Sequence, residues 1–452
     1  MILSNDQRWT RSLLSVGTAL LLTLMTAAVL PQVPGHLGQA AAEEKTEAPK
    51  RPTRRTPALR MKVFEGMGKA QKVGEETQNP QAAIDVLQEL LDEDSKSGKL
   101  NSYETAMVWR TIGAIHLQVA DYPKAIHAFK QVAAQENIPY GLEAEIKYTL
   151  AQLMMATEDY KGAIKMLTEW LEVADNPGPD SYILLGQAYL LTEQYNPALA
   201  NVQKGMAMAK ERGMEAKEQW YLMLRVIYYQ KNDYKQTAAV LEELVRRWPK
   251  GEYWVQLAMM YGQLDEEDRQ FDTLETAYLQ GFVTKEGELM LLAQMLAVRD
   301  APYKAAKVVD AGIRDGIIKP TPKIQEFLGE QWRRAQELEW ALPELEKAAE
   351  ASPNGEAYIR LAQVYLSRDQ YKAAVTAVRN GIKKGKLKRP EEAEMLLGQA
   401  LFYNNDFSDA RQAFTRALKN EKTRKPAEQW MDYLDKESDR QKAINEYLKK
   451  KS

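Results

Sequence analysis

Residues 112–132 read IGAIHLQVADYPKAIHAFKQV, and the distances between Gly113, Tyr122, Ala125 and Phe129 decide the fold. No reaction requires a glycine twelve residues ahead of an alanine, but two helices packed closely back to back do. The same pair of small residues recurs along the chain. First sites fall at Gly113, Ala151, Gly186, Arg225, Ala258, Ala293, Gly329, Ala362 and Gly398. Twelve residues after each come Ala125, Ala163, Ala198, Thr237, Gln270, Ala305, Ala341, Ala374 and Ala410, and a weaker copy at the front has Gln71 and Ala83. Successive second sites lie 33 to 42 residues apart. Each copy reads as two antiparallel helices that approach most closely where glycine or alanine leaves room for the opposing backbone.

The residues around these sites support the same reading. An aromatic opens the second helix three residues before the alanine at Tyr122, Tyr160, Tyr195, Tyr234, Tyr371 and Phe407, behind polar turn formers such as Asp121, Asp159 and Asn404–Asp406. Four residues after the alanine, Phe129, Leu167, Leu345 or Phe414 stays on the same helical face. Prolines 139, 249, 320, 353 and 390 stand where a helix must stop. The expected fold is all-α, a right-handed α-solenoid of about ten helix pairs over residues 61–425. A capping helix and basic tail over 426–452 would turn Trp430, Tyr433 and Leu434 to the last pair, and the degenerate pair around Phe64–Leu91 would cover the front. The pairs holding Thr237 and Gln270 lack the small residue, and there the stack is expected to open or rotate.

The pattern resembles the tetratricopeptide repeat: aromatic, Leu-Gly, Tyr, Ala, Phe and Pro stand at that repeat's offsets. Trp109–Gly113–Tyr122–Ala125–Phe129 and Tyr182–Leu185–Gly186–Tyr189–Tyr195–Ala198 carry the match best. The resemblance implies a scaffold for proteins or peptides rather than a particular task. Some chaperone-binding members hold acidic C-termini with a Lys, Asn and Arg clamp; here Arg110 falls on one clamp position, but its Asn partner is Ala114.

Composition narrows the chemistry. The 452 residues are 45% hydrophobic and 27% charged with a net charge of −2, so no global field favours nucleic acid or anionic lipid. Absence of cysteine removes disulfides, zinc ribbons, iron–sulfur clusters and thiol nucleophiles. Of three histidines, His116 falls on a buried packing position and His127 on the second helix, which suits packing better than a metal pair. The acidic run LDEED at 264–268 lacks the alternating ligands and glycine of a calcium loop and reads as a turn. GMGKAQK at 66–72 has no preceding strand and no hydroxyl after its lysine, so it is not a phosphate loop. No Gly-x-Ser-x-Gly occurs. No catalytic constellation, cofactor site or metal site is expected.

Residues 12–30, SLLSVGTALLLTLMTAAVL, carry no charge, follow Arg8 and Arg11, and precede small residues at Gly38, Ala40 and Ala42. Residues 1–42 therefore read as a secretory signal peptide, or as an uncleaved inner-membrane anchor, and the remainder as exported to the periplasm. Residues 43–60, with three prolines and four arginines, read as an extended, solvated linker. Membrane contact is expected only through the N-terminal segment, if it is kept.

In such solenoids the first helix of each pair lines the concave side. The residue after the small site is Gln152, Gln187, Gln294, Gln363 or Gln399 in five of nine pairs, with Tyr148, Leu190 and Tyr229 among the neighbours on the same faces. These eight residues are the candidate partner-binding set. Amides can pair with both polar groups of an extended peptide, while apolar neighbours hold its side chains. The alternative is that the glutamines solvate the groove or bond across helices. The phrases NPGPDSYILLGQAYL, GEYWVQLAMMYGQLDEE, VTKEGELMLLAQ and KTRKPAEQWMDYL are similar to exported proteobacterial repeat proteins that accompany TonB, ExbB and ExbD. That resemblance implies a periplasmic scaffold contacting a TonB-type system. The competing readings are a membrane-anchored assembly factor for an envelope complex and a cell-wall-processing enzyme.

Overall fold

A computed structural model of the chain describes residues 54, 56–97 and 100–451. The leader at 1–42 and most of the linker lie outside the described residues. Among the described residues there are twenty-one helices and no strand. The contacts divide the chain into two compact units, one ending at Trp248 and one beginning at Pro249. This division falls between the pair that carries Thr237 and the pair that carries Gln270.

The first unit holds five antiparallel pairs. They are α1 (Met61–Thr77) with α2 (Pro80–Ser97), α3 (Ser102–Gln118) with α4 (Tyr122–Ala133), and α5 (Tyr140–Ala156) with α6 (Tyr160–Val173). Then follow α7 (Pro179–Leu191) with α8 (Tyr195–Glu211) and α9 (Glu218–Gln230) with α10 (Tyr234–Arg247). The second unit holds α11 (Gly251–Gln263) with α12 (Glu267–Leu279), α13 (Glu286–Val298) with α14 (Pro302–Arg314), and α15 (Pro322–Arg334) with α16 (Leu338–Ala351). It ends with α17 (Glu356–Ser367) on α18 (Tyr371–Lys384), α19 (Pro390–Tyr403) on α20 (Phe407–Ala417), and the terminal α21 (Glu421–Lys451). Each unit is an α-solenoid in which consecutive pairs stack through their neighbours.

The small sites are the closest packed points, as the sequence requires. Ala151, Ala258, Ala293 and Ala362 are completely buried, and so are the facing Ala163, Ala305, Ala341, Ala374 and Ala410. Where the first site is glycine, the reason is direct. A β-carbon would meet the Phe129 ring at 2.8 Å from Gly113, Leu345 at 2.6 Å from Gly329 and the Phe414 ring at 2.5 Å from Gly398. In each case the obstacle stands four residues beyond the second-site alanine. Gly186 obeys the same geometry, since a β-carbon there would meet Val202 at 2.7 Å.

Each pair turns through one device. A non-glycine residue in the left-handed region stands two positions before every second helix: Gln78, Ala120, Glu158, Glu193, Asn232, Asp265, Asp300, Gln336, Asp369 and Asn405, with φ between 53° and 64°. In eight of these pairs the next backbone N–H donates back to a carbonyl one turn inside the first helix, as from Asp121 to His116, Gln194 to Tyr189 and Asp406 to Leu401, each 2.9 Å. This is the six-to-one bond that closes a helix end. LDEED is such a turn: Asp265 is left-handed, while Glu266 and Asp268 pair with Arg269 and Arg299 at 2.8 Å each. GMGKAQK lies inside α1.

Three details differ from the sequence reading. In the front pair Gln71 is exposed and Ala70 is buried, and the close approach to Ala83 comes at Gly74, where a β-carbon would lie 3.1 Å from it. Gln270 keeps close packing after all: Gly262, one turn beyond Ala258, makes the room, since a β-carbon there would meet the Gln270 amide at 2.4 Å. Arg225 is buried at its first site, facing a Thr237 whose hydroxyl donates to the Asp233 carbonyl at 2.8 Å. The terminal helix begins at Glu421 and runs through Pro426. Its Leu434 is buried, and Trp430 stacks on Phe414 with centroids 5.8 Å apart.

Candidate functional site

The surface on which the eight candidates were placed can be located from ion pairs between successive first helices. On α3 and α5, Arg110 donates to Glu145 at 2.6 Å. On α15 and α17, Arg360 engages Glu326 and lies 3.7 Å from Glu330, and Glu330 also holds Arg333 at 2.7 Å. Glu326 stands three residues before a small site and Glu330 one residue after it. Both therefore face the neighbouring first helix along one row. By the repeat, the glutamines after the other small sites of each unit take the same position on their own first helices.

The structure treats the candidates unequally. In the first unit Gln152 is exposed, one turn from a half-buried Tyr148 whose ring packs 4.9 Å from that of Trp170. Burial, and then the charge of Asp180 on α7, pushes the Tyr148 hydroxyl up, so it stays a neutral phenol. Leu190 is half-buried, and Tyr229 is half-buried against Tyr234 at 6.0 Å. Gln187 departs from the expectation of a solvent-facing amide, being only 7% exposed. It lies on α7, which packs against α6, α8 and α9 and buries residues around its whole circumference. In the second unit Gln294 is exposed, and Gln363 and Gln399 are half-buried. Arg110, on the clamp position, is already held by Glu145.

Sequence reasoning missed the end of the linker. Expected to be solvated, it is instead fastened at two arginines. Arg54 donates to the Ile138 carbonyl at 3.1 Å and to Glu143 at 2.8 Å, and its guanidinium lies 4.1 Å over the Tyr140 ring. Arg60 donates from its backbone N–H and its guanidinium to Glu104, a completely buried carboxylate that also closes a capping box with Asn101. The Arg60 side chain, ahead of the opposing effect of burial, holds the Glu104 carboxyl down at about 2. The signal available in sequence was Glu104 itself, the capping-box partner of Asn101 at the start of α3.

Among the described residues no group of three or more His, Asp or Glu side chains is placed to hold a metal ion. His116 is buried, and burial pushes its imidazole down, so it is neutral and serves packing. His127 sits edge-on to Trp109 at 5.9 Å. No helix among the described residues is long and apolar enough to cross a membrane.

Residues 395–433, the last pair and the start of α21, match the tetratricopeptide-repeat family. The match covers this stretch alone, and the helix pairs before it repeat the same antiparallel arrangement. Among solved structures it is similar to YrrB, described as a repeat protein with an unusual peptide-binding site: 14% identity over 42% of this chain and 96% of that one, TM-score 0.36. It is also similar to the TPR2AB domain of yeast Sti1 in complex with a pHSP90 segment, 15% identical over 57% of this chain and 99% of that one, TM-score 0.33. The Naa15/Naa10 complex bound to HypK is 14% identical over 82% of this chain and 66% of that one, TM-score 0.40. No curated protein matches the chain.

Proposed function

We propose that the protein is a non-enzymatic scaffold of the bacterial periplasm whose first-helix rows hold an extended segment of a partner protein. The observation that carries this is the exposure of Gln152 in the first unit and of Gln294 in the second, each one residue after a small site, the position from which Glu330 reaches Arg360 of the next first helix. Exposed amides offer a donor and an acceptor to a peptide backbone, and half-buried Tyr148, one turn from Gln152, offers apolar contact beside it, with Leu190 and Tyr229 half-buried on later first helices of the same unit. Export rests on the uncharged stretch at 12–30 behind two arginines. The four local phrases favour a TonB-type energy-transduction component as the partner. If residues 1–42 are retained, the same scaffold is an inner-membrane-anchored assembly factor, and N-terminal sequencing of the fractionated protein separates these forms.

The test places a photo-crosslinking residue at Gln152 and, separately, at Gln294 in cells that export the protein. Both positions are exposed, so stability should change by less than about 0.5 kcal/mol. A crosslinked partner at either position supports the row as the binding surface. Folded protein in the periplasm with no crosslink at either position overturns it, and a crosslinked partner outside the TonB system overturns the TonB assignment alone.

A further inference from the structure

Solenoid ends need polar covers, since each pair buries its faces only against neighbours. The last pair is covered by α21, whereas among the described residues the front pair leaves large apolar side chains exposed. Met61 and Phe64 on α1 are 69% and 66% exposed, and Leu117 and Val119 at the end of α3 are exposed too. Beside them a groove of about 960 Å³ runs between α1 and α3, lined on its apolar side by Leu59, Phe64, Met67 and Ile115. An exposed apolar surface of this kind, rimmed by polar groups, marks an interaction site.

The rim gives the groove a sign. Its lining reaches the carboxyl ends of both helices, at Gln78 after α1 and at Gln118 and Val119 after α3. Helix carboxyl ends carry partial negative charge and favour cations. The last turn of α1 instead carries Glu75 and Glu76 and no basic residue. Lys72 lies 3.6 Å from Glu76, whereas Glu75 is turned to the groove and accepts from the Gln71 amide at 3.0 Å. At the end of α3 the basic residue is His116, which is buried and neutral. A carboxylate at a negative helix pole, in a groove with no cation among its described lining residues, favours an incoming positive charge.

We propose that this front groove binds a partner segment in which a lysine or arginine is flanked by bulky apolar side chains. The apolar groups cover Phe64, Met67 and Ile115, and the cation meets Glu75 and the helix ends. This deepens the scaffold reading and rests on it only in requiring a protein partner. The crosslinks at Gln152 and Gln294 test the row, and the following test addresses the groove, so either can fail alone.

The probe is a fluorescein-labelled synthetic peptide of alternating leucine and lysine pairs, with a twin in which glutamate replaces lysine, titrated with the full chain by anisotropy. The lysine peptide is expected to bind at least about tenfold tighter than its twin, an advantage that shrinks as salt rises. Glu75→Lys should weaken the lysine peptide by about tenfold. Gly68→Trp is the blocking variant: Gly68 lines the groove, and a β-carbon there meets nothing within 4 Å, so the helix and melting point should survive while binding is lost. Equal binding of the two peptides, or undiminished binding by a folded Gly68→Trp protein, overturns the proposal. A concentration-dependent dimer that Gly68→Trp abolishes also overturns it, since the occupant would then be a second copy.

Discussion

A β-carbon added at Gly113 would lie 2.8 Å from the Phe129 ring, whereas one at Gly68 would meet nothing within 4 Å. The same substitution should therefore have opposite signs at the two positions. Gly68→Ala gains helix propensity alone and should stabilise the first unit by about 0.5–1 kcal/mol. Gly113→Ala gains as much but pushes the ring, and overpacking of about 1–3 kcal/mol should leave it net destabilised. Ala163→Leu, at a completely buried second site, should lose about 1–3 kcal/mol without an offsetting gain. Thermal melts of the three variants against the parent check the order. The left-handed turn residues give a second test at this scale. Gln336, with φ of 63°, carries a side chain in a conformation that costs an L-residue roughly 1–2 kcal/mol. Gln336→Gly should raise the melting point, and Gln336→Val should lower it.

At the scale of elements, the capping of α3 couples the linker to the fold. Glu104 is held by Arg60 and Asn101, and replacing it with glutamine should cost about 1–3 kcal/mol at neutral pH. The sign with pH is set by the depressed carboxyl. Its folded value of about 2 lies below the ordinary 4.5. Its contribution is complete above that ordinary value and disappears as pH falls from there toward 2. The gap in stability between the parent and Glu104→Gln should close over that window, read by denaturant midpoints at stepped pH. A gap that stays constant down to the acid end would refute the pairing. At the other end, Trp430 of α21 packs against Phe414 and lies 5.6 Å from Phe402. Trp430→Ala should cost about 2–3 kcal/mol, because it uncovers the aromatic end of the last pair. In contrast, the arginines that join successive turns in the second unit, Arg299 to Asp268 and Arg334 to Asp300, are exposed enough for each to contribute less than about 1 kcal/mol.

For the whole molecule, the second unit holds one continuous buried cluster from Val255 to Leu434. Residues 249–452 expressed alone should therefore give a helical spectrum and a cooperative melt, and a non-cooperative loss of ellipticity would refute that independence. The repeat was legible without coordinates, because close approach of two helix axes admits few residue types and Gly or Ala at a fixed spacing records it. The same logic placed the turns, the aromatic at six of the ten second-helix starts, the buried His116 and the packing of Trp430 and Leu434 on the last pair. Of the candidate residues, the period of the small sites gives the positions, and Gln152 and Gln294 are exposed there. Tertiary structure alone decided the rest. It buried Gln187 because α9 joins α6 and α8 around α7, and it added a close approach at Gly262 beside the buried Ala258. It fastened Arg54 to Glu143 across 89 positions and divided the core after Trp248. Periodicity reports which face of a helix turns inward. How deep a residue on that face lies, and what reaches it from distant sequence, depends on neighbours that no local spacing encodes.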